Sequence, residues 1–219
     1  LFRSGMGASL LRRGHRLTTI AHRNRAPVER LVALGASEAA SIEDIARQSQ
    51  AIILCLSTSD VVEATLARLR PHLRAGQTII DTGTSDPASS RRIARDLRQS
   101  GVAFADAPLT GGPEQAERGE LGVLCGADEE TFRDLEPLFS SFPTTVRHFG
   151  PPGSGHAAKL VSNYLVTGMV ALVADAFATA RRSGIDWRSL YEVMLNGSGN
   201  SRSEEHTSEL QSHHDLVCR

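Results

Sequence analysis

The run GPPGSGHAAKLVSN, residues 150–163, carries Lys159, the only lysine in a chain of 219 residues; the other 23 of its 24 lysines and arginines are arginine. A solvated cation position is served by either side chain, so a bias this complete gives the surface no need of one amine. Arginine keeps its proton, whereas a desolvated lysine ammonium gives its proton up and can exchange it with a reacting group. Asn163 follows four residues later, one turn along the same helix face. Alone, Lys159 reads equally as a leftover surface residue; the neighbouring runs decide.

Three such runs follow stretches that read as strands. AHRNR, residues 21–25, holds His22, Arg23 and Arg25 with no acid among them. Such a cluster suits a phosphate, which guanidinium groups bind through charge-assisted hydrogen bonds; a solvated basic turn is the plainer reading. DTGTSDP (81–87), preceded by Leu56 and Ser57 in an earlier run, and DAPLTGG (106–112) both read as strand-end turns. Glycine at 111 and 112 permits close approach of backbone to a ligand.

The elements that must position these residues alternate. Leu17–Ala21, AIILCL (51–56), TIID (78–81) and VAFADA (102–107) read as strands, the later ones as the continuous apolar runs of strands buried on both faces. Helices are expected over 27–34, 61–69 and 87–99, the first opened by Pro27 and closed by Gly35. Strand–helix alternation implies an α/β fold with a doubly wound parallel sheet. LGVLCG (121–126) and TTVRHFG (144–150) are expected to extend that sheet around one more helix, 129–139. A long helix over 157–182 follows, apolar nearly all round between Leu160 and Ala174, which calls for burial in a bundle or a subunit interface. The boundary between the α/β domain and a helical one is expected between Gly150 and Gly155.

Bulk properties narrow the partners. A net charge of −1 points away from nucleic acid and from an anionic membrane surface. The longest uncharged apolar stretch falls short of the roughly 18 residues of a spanning helix. Cys55, Cys125 and Cys218 make neither a disulfide framework nor a metal site, which favours a reducing, cytoplasmic compartment. Residues 202–219, RSEEHTSELQSHHDLVCR, contain no Gly, Ala or Pro, whereas all 19 glycines precede them. The segment back-translates to a sequence similar to a common sequencing adapter and is expected to be a non-native tail, so His206, His213 and His214 are assigned no metal.

Taken in order, SGMGASLLRRGH (4–15), DTGTSDP, DAPLTGG and the Lys159 run resemble the β-hydroxyacid dehydrogenase family, which includes 3-hydroxyisobutyrate dehydrogenases and tartronate semialdehyde reductases. The resemblance covers essentially all of residues 1–201. It implies a Rossmann-like NAD(P)-binding domain over 1–152 and the start of an all-helical C-terminal domain over 153–201. Arg3 falls where the third glycine of GxGxxG would stand, so the chain is expected to be truncated at both ends, to lack the central first strand of the order 3-2-1-4-5-6, and to be inactive as it stands.

In the same resemblance Lys159 is the general acid/base and Asn163 orients the substrate hydroxyl. Ser162 stands where the family usually has the first of two asparagines. Thr110, Gly111 and Gly112 bind the carboxylate of a small substrate. Thr84 lies near the nicotinamide, and Leu56 and Ser57 occupy a cofactor-binding segment where Leu-Pro is usual. His22, Arg23 and Arg25 favour NADP over NAD. The implied reaction is metal-free interconversion of a β-hydroxyacid and its semialdehyde by an enzyme that forms a homodimer or homotetramer. An imine reductase of the same architecture, which generally lacks the lysine, and a non-catalytic oligomerisation or binding relative are the alternatives.

Overall fold

A computed structural model describes residues 2–21, 24–141 and 145–196; His22, Arg23 and the tail 202–219 lie outside them. The chain divides into two compact units, Leu1–Asn163 and one that begins at Tyr164.

The first unit opens with α1 (Phe2–Arg12), β1 (Thr18–Thr19), α2 (Ala26–Ala33), β2 (Ser37–Glu38) and α3 (Ile42–Gln48). It continues with β3 (Ala51–Leu54), α4 (Ser59–Leu69), β4 (Thr78–Asp81), α5 (Pro87–Arg98) and β5 (Ala103–Asp106). Helix starts are set by side chains that accept the orphan amides of the first turn. Ser41 accepts from Asp44 N, Thr58 from Val61 N, and Asp86 from Ala88 N ahead of Pro87.

Strands β3, β4 and β5 are parallel and in step, with Leu54 opposite Asp81 and Asp81 opposite Asp106. Successive side chains of a strand face opposite sides, and β4 shows the consequence. Ile79 packs among Leu54, Val62, Leu66, Ile93 and Leu97, while Ile80 packs among Met6, Leu10, Ala105, Val123 and Phe139. The sheet is thus covered on both faces, as a doubly wound fold requires. Strands β1 and β2 pair in parallel in a separate two-stranded sheet. No described strand joins β1 to β3.

Beyond β5 the expected parallel extension is corrected. The chain runs through β6 (Leu109–Thr110), α6 (Pro113–Arg118) and β7 (Gly122–Gly126), and β7 is antiparallel to both β5 and β6. A parallel return needs a crossover of a dozen or more residues; the segment between Thr110 and Gly122 holds a two-glycine turn and a short helix. After α7 (Glu129–Phe139), β8 (Thr145–Gly150) pairs parallel to β7, so the six-stranded sheet is mixed.

Helix α8 (Ser154–Arg182) carries the chain from the first unit into the second, where α9 (Trp187–Leu195) follows. Its best 18-residue window has a mean hydropathy of 1.6, so by length and composition alone it could cross a membrane, contrary to the shorter span expected. The uncharged stretch is bounded by Lys159 and Asp175, whereas the helix continues past both. Val161, Tyr164, Leu165, Val170 and Leu172 are exposed on the single chain. In the second unit Phe177 meets the edges of Trp187 and Tyr191, at 6.1 Å between ring centres in each case.

Candidate active site

Because β3, β4 and β5 end level, the loops leaving them gather at one edge of the sheet, the carboxyl-end crevice where such folds bind ligands. Leu56 is half-buried and Ser57 exposed after β3. After β4, Thr82 N donates to Leu54 O at 2.8 Å and Thr82 Oγ1 to the same oxygen at 3.0 Å. A Cβ on Gly83 would stand 2.8 Å from Leu56 O, so glycine is what lets this turn press on the preceding loop. Thr84, next in line, is exposed. The expected segments at 56–57 and 84 are therefore neighbours.

The DAPLTGG run begins at the end of β5 with Asp106, which is fully buried. Its Oδ1 accepts from Gly153 N at 2.5 Å and its Oδ2 from His156 N at 2.7 Å. The carboxylate thus caps α8 and joins the third motif to the run that holds Lys159. Gly155 and Gly126 make the junction close: a Cβ on Gly155 would strike the carbonyl oxygens of Leu124 and Asp106. Burial pushes the Asp106 carboxyl above its usual range, opposed by the two amides and by His156.

His156 itself was not anticipated as part of the site. It is fully buried, with Nδ1 2.7 Å from Ser90 Oγ. Its Nε2 has no hydrogen-bond partner and lies 3.8 Å from Asp81 Oδ2. Asp81 in turn accepts from Ser85 Oγ at 2.8 Å and from Gly83 N at 2.9 Å. Asp81, Asp106 and His156 each belong to a motif already singled out, yet nothing in those motifs marked their side chains as buried.

Lys159 is half-buried, and desolvation holds its ammonium below the ordinary lysine range. Among the described residues no carboxylate lies within ion-pair distance of it. Asn163 is half-buried and Ser162 exposed, so the helix turns the former inward with Lys159. Thr110 stands opposite Gly122, with its Oγ1 over the glycine where a Cβ would sit. Gly111 has φ 109°, a left-handed conformation that favours glycine. The Gly112 amide donates to Gln115 Oε1 at 3.0 Å, so an amide expected to meet a carboxylate is engaged by a side chain. Gln115 is the third residue of α6, the capping-box position, and that spacing was the signal available.

Arg25 lies past β1 in the separate two-stranded sheet. It donates to Glu38 Oε2 at 3.0 Å and its Nε lies 3.7 Å from Glu29 Oε1. Both pairs are exposed, the kind that exchanges partners at little cost.

Residues 4–150 match the family model described as the NAD binding domain of 6-phosphogluconate dehydrogenase. Residues 153–214 match the model described as NAD-binding of NADP-dependent 3-hydroxyisobutyrate dehydrogenase. The chain belongs to the β-hydroxyacid dehydrogenase family. Among its relatives, the NAD-dependent L-serine dehydrogenase of Pseudomonas aeruginosa is 32% identical over 89% of this chain and 66% of its own length. The 2-(hydroxymethyl)glutarate dehydrogenase of Eubacterium barkeri is 29% identical over 82% of this chain and 61% of its own. The 3-hydroxyisobutyrate dehydrogenase of Mycobacterium tuberculosis, solved with L-serine, superposes with a TM-score of 0.81 at 25% identity, covering 90% of this chain and 67% of that one. The chain thus spans about two thirds of the length of these relatives.

The two family matches meet between Gly150 and Gly153, where β8 gives way to α8. An NAD(P)-binding fold of the β-hydroxyacid dehydrogenase type is established by them. The exposed hydroxyls of Ser57 and Thr84 at the level ends of β3 and β4 are a donor set that fits a dinucleotide.

Proposed function

We propose that the protein is an NAD(P)-dependent oxidoreductase that interconverts a small β-hydroxyacid and its semialdehyde, with Lys159 as general acid/base. One observation carries the reading: Lys159 is a half-buried amine with no carboxylate partner among the described residues, on a helix capped by the first residue of DAPLTGG.

Thr110, Gly111 and Gly112 hold the substrate carboxylate, the Gly112 amide exchanging Gln115 for it. Asn163 receives the substrate hydroxyl one turn beyond Lys159. In the oxidation direction the neutral Nζ takes the hydroxyl proton as the carbon loses hydride; in reduction the ammonium returns it to the nascent alkoxide. A bound nicotinamide supplies the hydride chemistry. Ser57, Leu56 and Thr84 line its end of the crevice, and Arg25, with His22 and Arg23, favours NADP through the 2′-phosphate. The exposed apolar side chains of α8 support a homodimer or homotetramer, and the free Cys55 and Cys125 support a cytoplasmic setting.

The test is hydride transfer by the full reading frame that encodes this chain. It would be assayed with NADP and NAD against 3-hydroxyisobutyrate, L-serine, 2-(hydroxymethyl)glutarate and the semialdehydes of such acids. Turnover of at least one is expected. Tight cofactor binding without turnover of any would overturn the reading in favour of a non-catalytic relative.

A further inference from the structure

We propose that Asp106 and His156 are positioning residues for Lys159: buried together, they lock the first turn of α8 to the end of β5 and to α5 and so determine where the amine stands. The proposal rests on the acid/base reading of Lys159 given above.

Burying an ionisable side chain is costly unless it is hydrogen-bonded, and apolar residues of similar volume would fill the same space more cheaply. Asp106 and His156 are each 0% exposed. Both oxygens of Asp106 are used on amides of a single helix start, at Gly153 and His156. Apolar packing would hold α8 in place but leave its rotation and depth loosely set; two directional bonds to one carboxylate set both. His156 adds a third fixed direction, to Ser90 on α5, while its Nε2 points into a buried space facing Asp81 without a hydrogen bond. A nitrogen left unpaired in that way costs stability, so the ring is poorly explained as packing.

The clamp is close to the amine. Lys159 follows His156 by three residues and so lies one turn along the same face. The helix transmits any displacement of its first turn, and reacting groups misplaced by about 1 Å can lose about 100-fold in rate. Gly126 and Gly155 remove the side chains that would hold α8 off the sheet at this point.

The test is made in the full reading frame with Asp106→Asn, His156→Leu and His156→Gln. Asparagine keeps the shape of aspartate but turns an NH2 toward one of the two amides. Leucine fills the space of His156 without polar atoms, whereas glutamine can still accept from Ser90. We expect kcat to fall about 10- to 100-fold in Asp106→Asn and His156→Leu, with cofactor affinity unchanged and His156→Gln retaining more activity than His156→Leu. In a Lys159→Ala background the same substitutions should cost less than about twofold further, because residues acting through one group are not additive. Equal losses in both backgrounds, or lower thermal stability with kcat intact, would overturn the proposal.

A second readout needs no turnover. Acylation of Lys159 as a function of pH is followed by mass spectrometry on the peptide between Arg147 and Arg181. The positioning variants should shift its midpoint or change its rate at least about threefold relative to wild type. If the full reading frame turns over no acid but this shift is seen, the catalytic reading fails and the positioning stands. If Lys159 titrates identically in wild type and in every folded variant, the positioning fails.

Discussion

Asp106 Oδ2 accepts the backbone amide of His156 at 2.7 Å, and through that bond the end of β5 and the helix of Lys159 become one piece. The run expected to bind substrate and the run expected to move its proton are thus held together by a residue at the head of the first.

Lys159→Arg in the full reading frame should keep positive charge and most of the apolar stem while removing the exchangeable proton. Loss of a general acid/base costs about 100- to 10,000-fold, so turnover should collapse with cofactor affinity near normal. Oxidation needs the neutral amine, so in the unsubstituted enzyme kcat/KM should rise with pH through the Lys159 pKa and level off above it. Burial lowers that pKa, so the plateau should begin below the range of an ordinary lysine. The arginine variant should show no such limb in its residual rate. Wild-type turnover in that variant would end the proton-transfer reading.

Arg25→Ala should weaken NADP binding about tenfold, the scale of one charge-assisted hydrogen bond, and hardly affect NAD. Glu38→Gln removes the acceptor that Arg25 uses at 3.0 Å and should leave NADP binding equal or tighter. Fluorescence titration with both cofactors checks this; equal losses for NADP and NAD would mark Arg25 as part of a solvated turn.

The parallel part of the sheet was legible because β3, β4 and β5 are apolar on both faces, so Ile79 and Ile80 sit in an unbroken run. The reversal at β7 was not. Gly122–Gly126 reads the same in either direction, and its sense is decided by how little chain separates it from Thr110. Strand β2 escaped notice because Ser37 and Glu38 are polar and exposed, leaving no apolar alternation to read. Helix α3 is marked in the sequence only by Ser41 and Asp44, three apart, a cap signal with no apolar periodicity strong enough to extend it. Lys159 stands out in the sequence as one amine among arginines, but its expected role came from the neighbouring runs and the family resemblance. Asp106 and His156 were not legible, because residue type does not disclose burial: an aspartate at a strand end is more often solvated than spent on a distant helix.

Gln115→Ala should separate two uses of one amide. It removes the side chain that accepts from Gly112 N at 3.0 Å and, with it, a cap worth about 1 kcal/mol. If the Gly112 amide binds the substrate carboxylate, KM for the acid should fall or hold while thermal stability drops slightly. A raised KM at unchanged kcat would instead mean that Gln115 shapes the carboxylate site.

Gly155→Ala and Ala157→Gly form a matched pair on one turn of α8. Alanine is the better helix former, by about 1 kcal/mol, so on propensity alone the first change should stabilise and the second should destabilise. Packing reverses the first. A Cβ at Gly155 would strike the carbonyl oxygens of Leu124 and Asp106, neither a flexible side-chain end, so α8 must move outward; overpacking of this kind costs about 1–3 kcal/mol. Position 157 is exposed, so Ala157→Gly should lose up to about 1 kcal/mol of stability without displacing the helix. We therefore expect Gly155→Ala to lower both melting temperature and kcat and to alter acylation of Lys159, whereas Ala157→Gly lowers melting temperature alone. Were both variants to lose kcat in proportion to stability, helix integrity and not helix placement would govern the amine.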